Sequence, residues 1–194
     1  MLKPWRPWQP WDLEPVEVDE LPDPQRSVLL SRTIEVISIG LVPAGDYRVV
    51  QQSEPHEKPQ SVRCFQSSDS AVLCWVADRE GSLPQYGFAS LLEDGTCVKS
   101  VPDHPHAPWS CCRFPVYVNF GAGCALEDLL LMHLTSLADL EHGCGPTLQY
   151  SESQVREIFT YISALEHETE YGLGAPPEML PERPVPSGRE LLTH

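Results

Sequence analysis

No stretch of this 194-residue chain stays apolar over the ~18 to 20 residues that a membrane-spanning helix requires. The longest candidate, residues 125–137, is interrupted by Glu127, Asp128 and His133, so no bilayer anchor is expected. The N-terminus also lacks the apolar core of a secretory signal, because residues 1–11 alternate tryptophan with proline. The expectation is therefore a cytoplasmic protein. Its seven cysteines (Cys64, Cys74, Cys97, Cys111, Cys112, Cys124, Cys144) read as thiols of a reducing compartment, since an odd number in a chain without an export signal does not make a disulfide framework. Positive charge is scarce as well. Thirteen Lys and Arg face 28 Asp and Glu, a formal net charge of −15. Nucleic acids and anionic membranes are bound by clustered cations that displace counterions, so neither is an expected partner, whereas a basic protein is.

Motifs that carry chemistry are missing too, and neither a cofactor nor a metal is expected. His104, His106, Cys111 and Cys112 fall within nine residues but do not form the paired ligand elements of a zinc site. Gly121-Ala122-Gly123 stands between a strand pattern and a helix pattern, as a phosphate cradle would. Glu127 and Asp128, however, place negative charge where phosphate would sit, so the glycines read as a sharp turn. No Ser-His-Asp arrangement or paired carboxylates stand out, and an acidic chain offers few places where a thiolate would be favoured. No catalytic residue is assigned.

What the chain does have is proline at both ends and oily periodicity between them. Residues 1–22 form a Pro/Trp-rich arm in which Pro4-Trp5, Pro7-Trp8 and Pro10-Trp11 recur every three residues, the period of polyproline II. That conformation aligns Trp5, Trp8 and Trp11 on one edge. Three aligned indoles need a surface, either this protein's own sheet or helices or another protein's aromatic groove. Residues 175–194 form a proline-rich tail. The domain between, 23–174, opens with a helix over 24–39, started by Asp23-Pro24 and buried along Leu30, Ile34, Ile37 and Leu41.

Strand patterns follow at 47–51, 61–66, 71–77, 86–93, 96–101 and 114–120, rich in β-branched, aromatic and cysteine residues. Asp94-Gly95 predicts a two-residue type I′ hairpin, and 67–70 a second turn. If Gln66 faces Ala71 across that turn, Cys64 and Cys74 lie on opposite faces of the sheet. Two helices close the domain. The first spans 125–141 on a leucine stripe (Leu126, Leu129, Leu130, Leu134, Leu137, Leu140). The second is marked by a Ser151/Gln154 capping box and by Val155, Ile158, Phe159, Ile162 and Leu165. The fold class is α+β, an antiparallel sheet of five or six strands covered by one N-terminal and two C-terminal helices, with the arm across an edge or on the second face.

Two functional classes follow. The first is a non-catalytic protein-binding, adaptor or inhibitor module. Residues 125–171 hold nine acids against Arg156 alone, and Glu166, Glu168 and Glu170 crowd the negative end of the last helix, where an exposed acid costs ~0.3 to 1 kcal/mol. With Asp139, Glu141 and Glu152 they outline an acidic surface for a basic partner, alongside the indole stripe of Trp5, Trp8 and Trp11. The second class is a small-ligand-binding domain or enzyme with a pocket between sheet and helices, lined by Trp75, Tyr86, Trp109 and His133.

Overall fold

A computed structural model describes residues 12–50, 61–78, 85–102, 116–121 and 123–162. The chain folds as α+β around one open, seven-stranded sheet in sequential order, β1 (Asp12–Pro15), β2 (Val42–Val50), β3 (Ser61–Gln66), β4 (Leu73–Asp78), β5 (Gln85–Leu91), β6 (Cys97–Val101) and β7 (Val116–Phe120). Helix α1 (Asp23–Ser38) links β1 to β2, α2 (Leu126–Cys144) follows β7, and residues 155–162 are helical and form α3.

The sheet is one strand longer than the sequence pattern predicts, because residues 12–15 of the arm pair with β2 as the edge strand. It is also not wholly antiparallel: β7 runs parallel to β6. A parallel neighbour needs a connection of a dozen or more residues, and the fourteen from 102 to 115 supply it where a tight hairpin would have forced reversal.

Both faces of the sheet are covered. On one, α1 packs over β3 and β4 and α2 over β5 and β6, burying Leu29, Val36, Leu129 and Leu137 against Phe65, Cys74, Val76, Phe88 and Val98. On the other, α3 buries Val155, Ile158, Phe159 and Ile162 against Val62, Cys64, Trp75, Ala77, Ala89 and Cys97. The second face, for which the N-terminal arm is one expected cover, is thus taken by α3. The reason lies in β4, where all six residues are buried, a pattern only a doubly covered strand adopts. The capping box forms as expected, with the Ser151 backbone N–H donating to Gln154 Oε1 at 2.9 Å.

The hairpins refine the expected registers. Asp94 keeps a negative φ, so the β5–β6 turn is a three-residue loop, 93–95, with Gly95 alone at φ +89° and Leu92 N–H bonded to Thr96 O at 2.8 Å. Between β3 and β4, Gln66 faces Leu73 rather than Ala71, and Ser70 takes the left-handed conformation. That shift is two residues, so it preserves facing: Cys64 and Cys74 do lie on opposite faces. Gly87 has its own reason to be glycine. The Trp75 indole lies across it, and a Cβ there would come within 2.6 Å of the ring.

Candidate functional site

The orientation of α1 decides which of its apolar residues face outward. Its apolar residues are Val28, Leu29, Leu30, Ile34, Val36 and Ile37, spread too widely around the helix for one sheet to bury them all. Polar contacts select which side goes down. Arg63 on β3 makes a two-pronged pair with Asp46 on β2, Nε to Oδ1 at 3.0 Å and Nη2 to Oδ2 at 3.2 Å, while its Nη1 donates to Thr33 Oγ1 at 3.1 Å. One residue round the helix, the Arg32 guanidinium sits over the Tyr86 ring of β5, 5.1 Å from its centre. With Arg32 and Thr33 held against the sheet, Leu29 and Val36 are buried beside them.

The stripe read from sequence as the buried face of α1 therefore points outward. Leu30, Ile34 and Ile37 are 40%, 77% and 48% exposed, while Leu41, its fourth member, is buried. The physical reason is that this rotation gives the third N–H group of the half-buried Arg63 guanidinium its acceptor in Thr33 and lays Arg32 over Tyr86, while either helix face offers comparable apolar area. Burial pushes the Asp46 carboxyl above its usual range, against the opposing pull of Arg63.

At its N-terminal end the stripe has an acidic border. Arg26, one turn before Leu30 on the same side of the helix, pairs with Asp23 and reaches Asp19 at 4.0 Å. Residues 14–23 contain Glu14, Glu17, Asp19, Glu20 and Asp23, all exposed, and no Lys or Arg. An apolar row with i, i+4, i+7 spacing beside a cluster of carboxylates is chemically suited to an amphipathic, basic segment.

His133 is the second constellation. It lies fully buried between α2 and the sheet, with Nε2 3.1 Å from Ser90 Oγ and Nδ1 3.1 Å from Ser100 Oγ. The network dictates its tautomer. Ser90 donates to the Ala71 carbonyl at 2.8 Å, so it accepts from Nε2–H; Nδ1 then accepts from the Ser100 hydroxyl, which accepts from Asn119 Nδ2 at 3.1 Å. Every polar group is satisfied with a neutral ring, and burial depresses the imidazole pKa to about 3.

The four residues expected to line a pocket are not brought together. Tyr86 and His133 are on the α1/α2 face; Trp75 is on the opposite face, 6.0 Å from Phe159 between ring centres and 4.8 Å from Lys99 Nζ; Trp109 lies outside the described residues. The expected acidic surface is divided as well. Asp139 and Glu141 are exposed on α2, and Glu141 Oε1 is engaged by the Thr147 N–H (3.0 Å) and hydroxyl (2.5 Å). Glu152 stands on the α3 side of the sheet, close enough to raise the Tyr47 pKa, which burial chiefly lifts to about 12. Glu166, Glu168, Glu170, Trp5, Trp8, Trp11, His104, His106, Cys111 and Cys112 lie outside the described residues. Among the described residues no three His, Cys, Asp or Glu are grouped to hold a metal ion, and no helix is long and apolar enough to cross a membrane.

Comparison with protein-family models, curated proteins and solved structures returned no match.

Proposed function

We propose that this chain is a non-catalytic protein-binding module that takes a basic, amphipathic segment of another protein along the outer face of α1. The observation that carries the reading is the exposed row Leu30, Ile34 and Ile37 ending at the carboxylates of Glu17, Asp19, Glu20 and Asp23. Apolar anchors supply affinity, and the acidic border orients the segment and speeds its arrival, the more so with the whole chain at −15. The partner's apolar residues would meet the row at helical spacing, with its Lys or Arg toward the N-terminal end of α1.

A synthetic helix of leucine and lysine, apolar along one face, serves as the probe. Added to the full-length protein, it is expected to perturb the NMR methyl signals of Ile34 and Ile37. Ile34→Ser with Ile37→Ser should weaken binding about tenfold or more, equivalent to ~1.4 kcal/mol. Raising salt from ~0.05 to ~0.5 M should weaken it further. Binding that is unchanged in the double variant, or perturbations confined to residues 125–162, would overturn the reading.

A further inference from the structure

The acidic border of the α1 row carries a cation of its own. Residues 12–31 hold six acids, Asp12, Glu14, Glu17, Asp19, Glu20 and Asp23, and Arg26 as the one base. The Arg26 guanidinium donates from Nη2 to Asp23 Oδ1, and its Nη1 lies 4.0 Å from Asp19 Oδ1. Those two carboxylates belong to side chains that are 83% and 88% exposed, on the surface where the cations of a docked segment would arrive.

The stability of α1 does not account for this cation. Arg26 closes the first turn, at the positive end of the helix dipole, where an exposed base is unfavourable by about as much as its i,i+3 pair with Asp23 restores. Asp23 opens the same turn, and there the dipole alone already favours a carboxylate. Arg26 takes no part in setting the rotation of the helix either. Leu29, Arg32, Thr33 and Val36 face the sheet, whereas Arg26 stands one turn before Leu30, in line with the exposed row.

We infer that Arg26 is a built-in competitor for the docking surface, occupying the carboxylates of Asp19 and Asp23 in the free protein and displaced from them by the cations of the basic segment. This rests on the binding reading above and adds its regulation, an autoinhibitory contact that holds the affinity below what the carboxylates alone would give. An exposed ion pair formed ~75% of the time leaves its carboxylates open for the remaining ~25%, which raises the apparent dissociation constant about fourfold. A segment without a base at the border meets no competition.

The leucine–lysine helix, and a leucine–glutamine helix of the same pattern, are titrated against full-length wild type and three variants, Arg26→Gln, Arg26→Lys and Arg156→Gln. Arg156 is exposed on α3, across the sheet, and its loss makes the same change in net charge. At ~0.05 M salt Arg26→Gln should bind the lysine helix about two- to fivefold more tightly than wild type, and more tightly than Arg156→Gln, while Arg26→Lys, which keeps the charge, stays close to wild type. At ~0.5 M salt the difference should close. The glutamine helix should bind wild type and Arg26→Gln alike, and the urea midpoint of Arg26→Gln should match that of wild type.

Equal gains in Arg26→Gln and Arg156→Gln would reduce the effect to net charge and overturn the inference. A gain that extends to the glutamine helix would overturn it too, since Arg26 would then obstruct the row by its bulk. Equal binding of the lysine helix by wild type and Arg26→Gln, with Ile34 and Ile37 perturbed in both, sinks the competitor and leaves the binding reading intact. A lysine helix that binds none of the four proteins sinks the binding reading, and the competitor with it.

Discussion

At the scale of single residues, His133 is the group whose chemistry the fold constrains most. A neutral ring donates from Nε2 to Ser90 and accepts at Nδ1 from Ser100; protonation would turn that acceptor into a donor facing a hydroxyl already bonded by Asn119. The pKa falls from 6.5 in the unfolded chain to about 3 in the fold. Between those values the unfolded state takes up a proton that the folded state refuses, so His133 contributes stability fully above pH 6.5 and loses it as pH falls toward 3. The slope is at most ~1.4 kcal/mol per pH unit. Urea unfolding of wild type and His133→Phe from neutral to acid pH should show a stability gap that narrows as pH drops, because carboxylates titrate in both proteins and cancel. A gap of constant size would mean that the ring takes up its proton as readily in the fold as in the unfolded chain. From sequence, His133 was legible as a residue on the inner side of α2, but its two serine partners were not, being 43 and 33 residues away on separate strands.

At the scale of elements, α1 is where the pattern and the structure part most, with Leu30, Ile34 and Ile37 of its predicted stripe exposed against Leu134 alone of the α2 stripe. Its start and length follow from Asp23, Pro24 and the run to Ser38. Its rotation does not, because Leu29 with Val36 and Leu30 with Ile34 and Ile37 are both acceptable apolar rows, and the Arg63–Asp46–Thr33 link chooses between them. A pair of substitutions separates the two rotations by denaturant unfolding. Leu29→Ala removes a fully buried side chain and should cost about 2–5 kcal/mol, whereas Ile34→Ala should stay within ~0.5 kcal/mol of wild type. The reverse ranking would restore the stripe expected from periodicity. The signal that could have exposed the second row was its breadth: apolar residues on more than half the circumference of a helix that one sheet must serve. α3 posed no such ambiguity, since Val155, Ile158, Phe159 and Ile162 form one narrow face, and all four are buried as expected.

At the scale of the whole molecule, a sheet covered on both sides isolates its thiols in two separate cores. Cys64 and Cys97 lie beneath α3 and Cys74 beneath α1 and α2, all fully buried, and burial raises all three, Cys97 to about 12. Iodoacetamide treatment of the native protein, read peptide by peptide in a mass spectrometer, should leave Cys64, Cys74 and Cys97 unmodified while Cys124 and Cys144, both partly exposed, are alkylated ahead of them. In denaturant Cys64, Cys74 and Cys97 should react together, since two cores built on one sheet are lost in one transition. Labelling of Cys74 ahead of Cys64 and Cys97 would show the α1/α2 layer opening separately.

The strand-rich centre, the helices on either side of it, the opposite facing of Cys64 and Cys74 and the capped start of α3 were determined by the sequence alone. Each depends on residues close together in the chain or on a side-chain period that a two-residue shift leaves unchanged. Only the tertiary structure decided that β1 completes the edge, that β7 runs parallel to β6, that α3 takes the far face and that α1 turns Leu30, Ile34 and Ile37 outward. Those outcomes turn on how distant parts of the chain meet, as Arg63 meets Thr33 in setting the rotation of α1. When two apolar faces are equally oily, local periodicity holds no information about which one the polar contacts will bury.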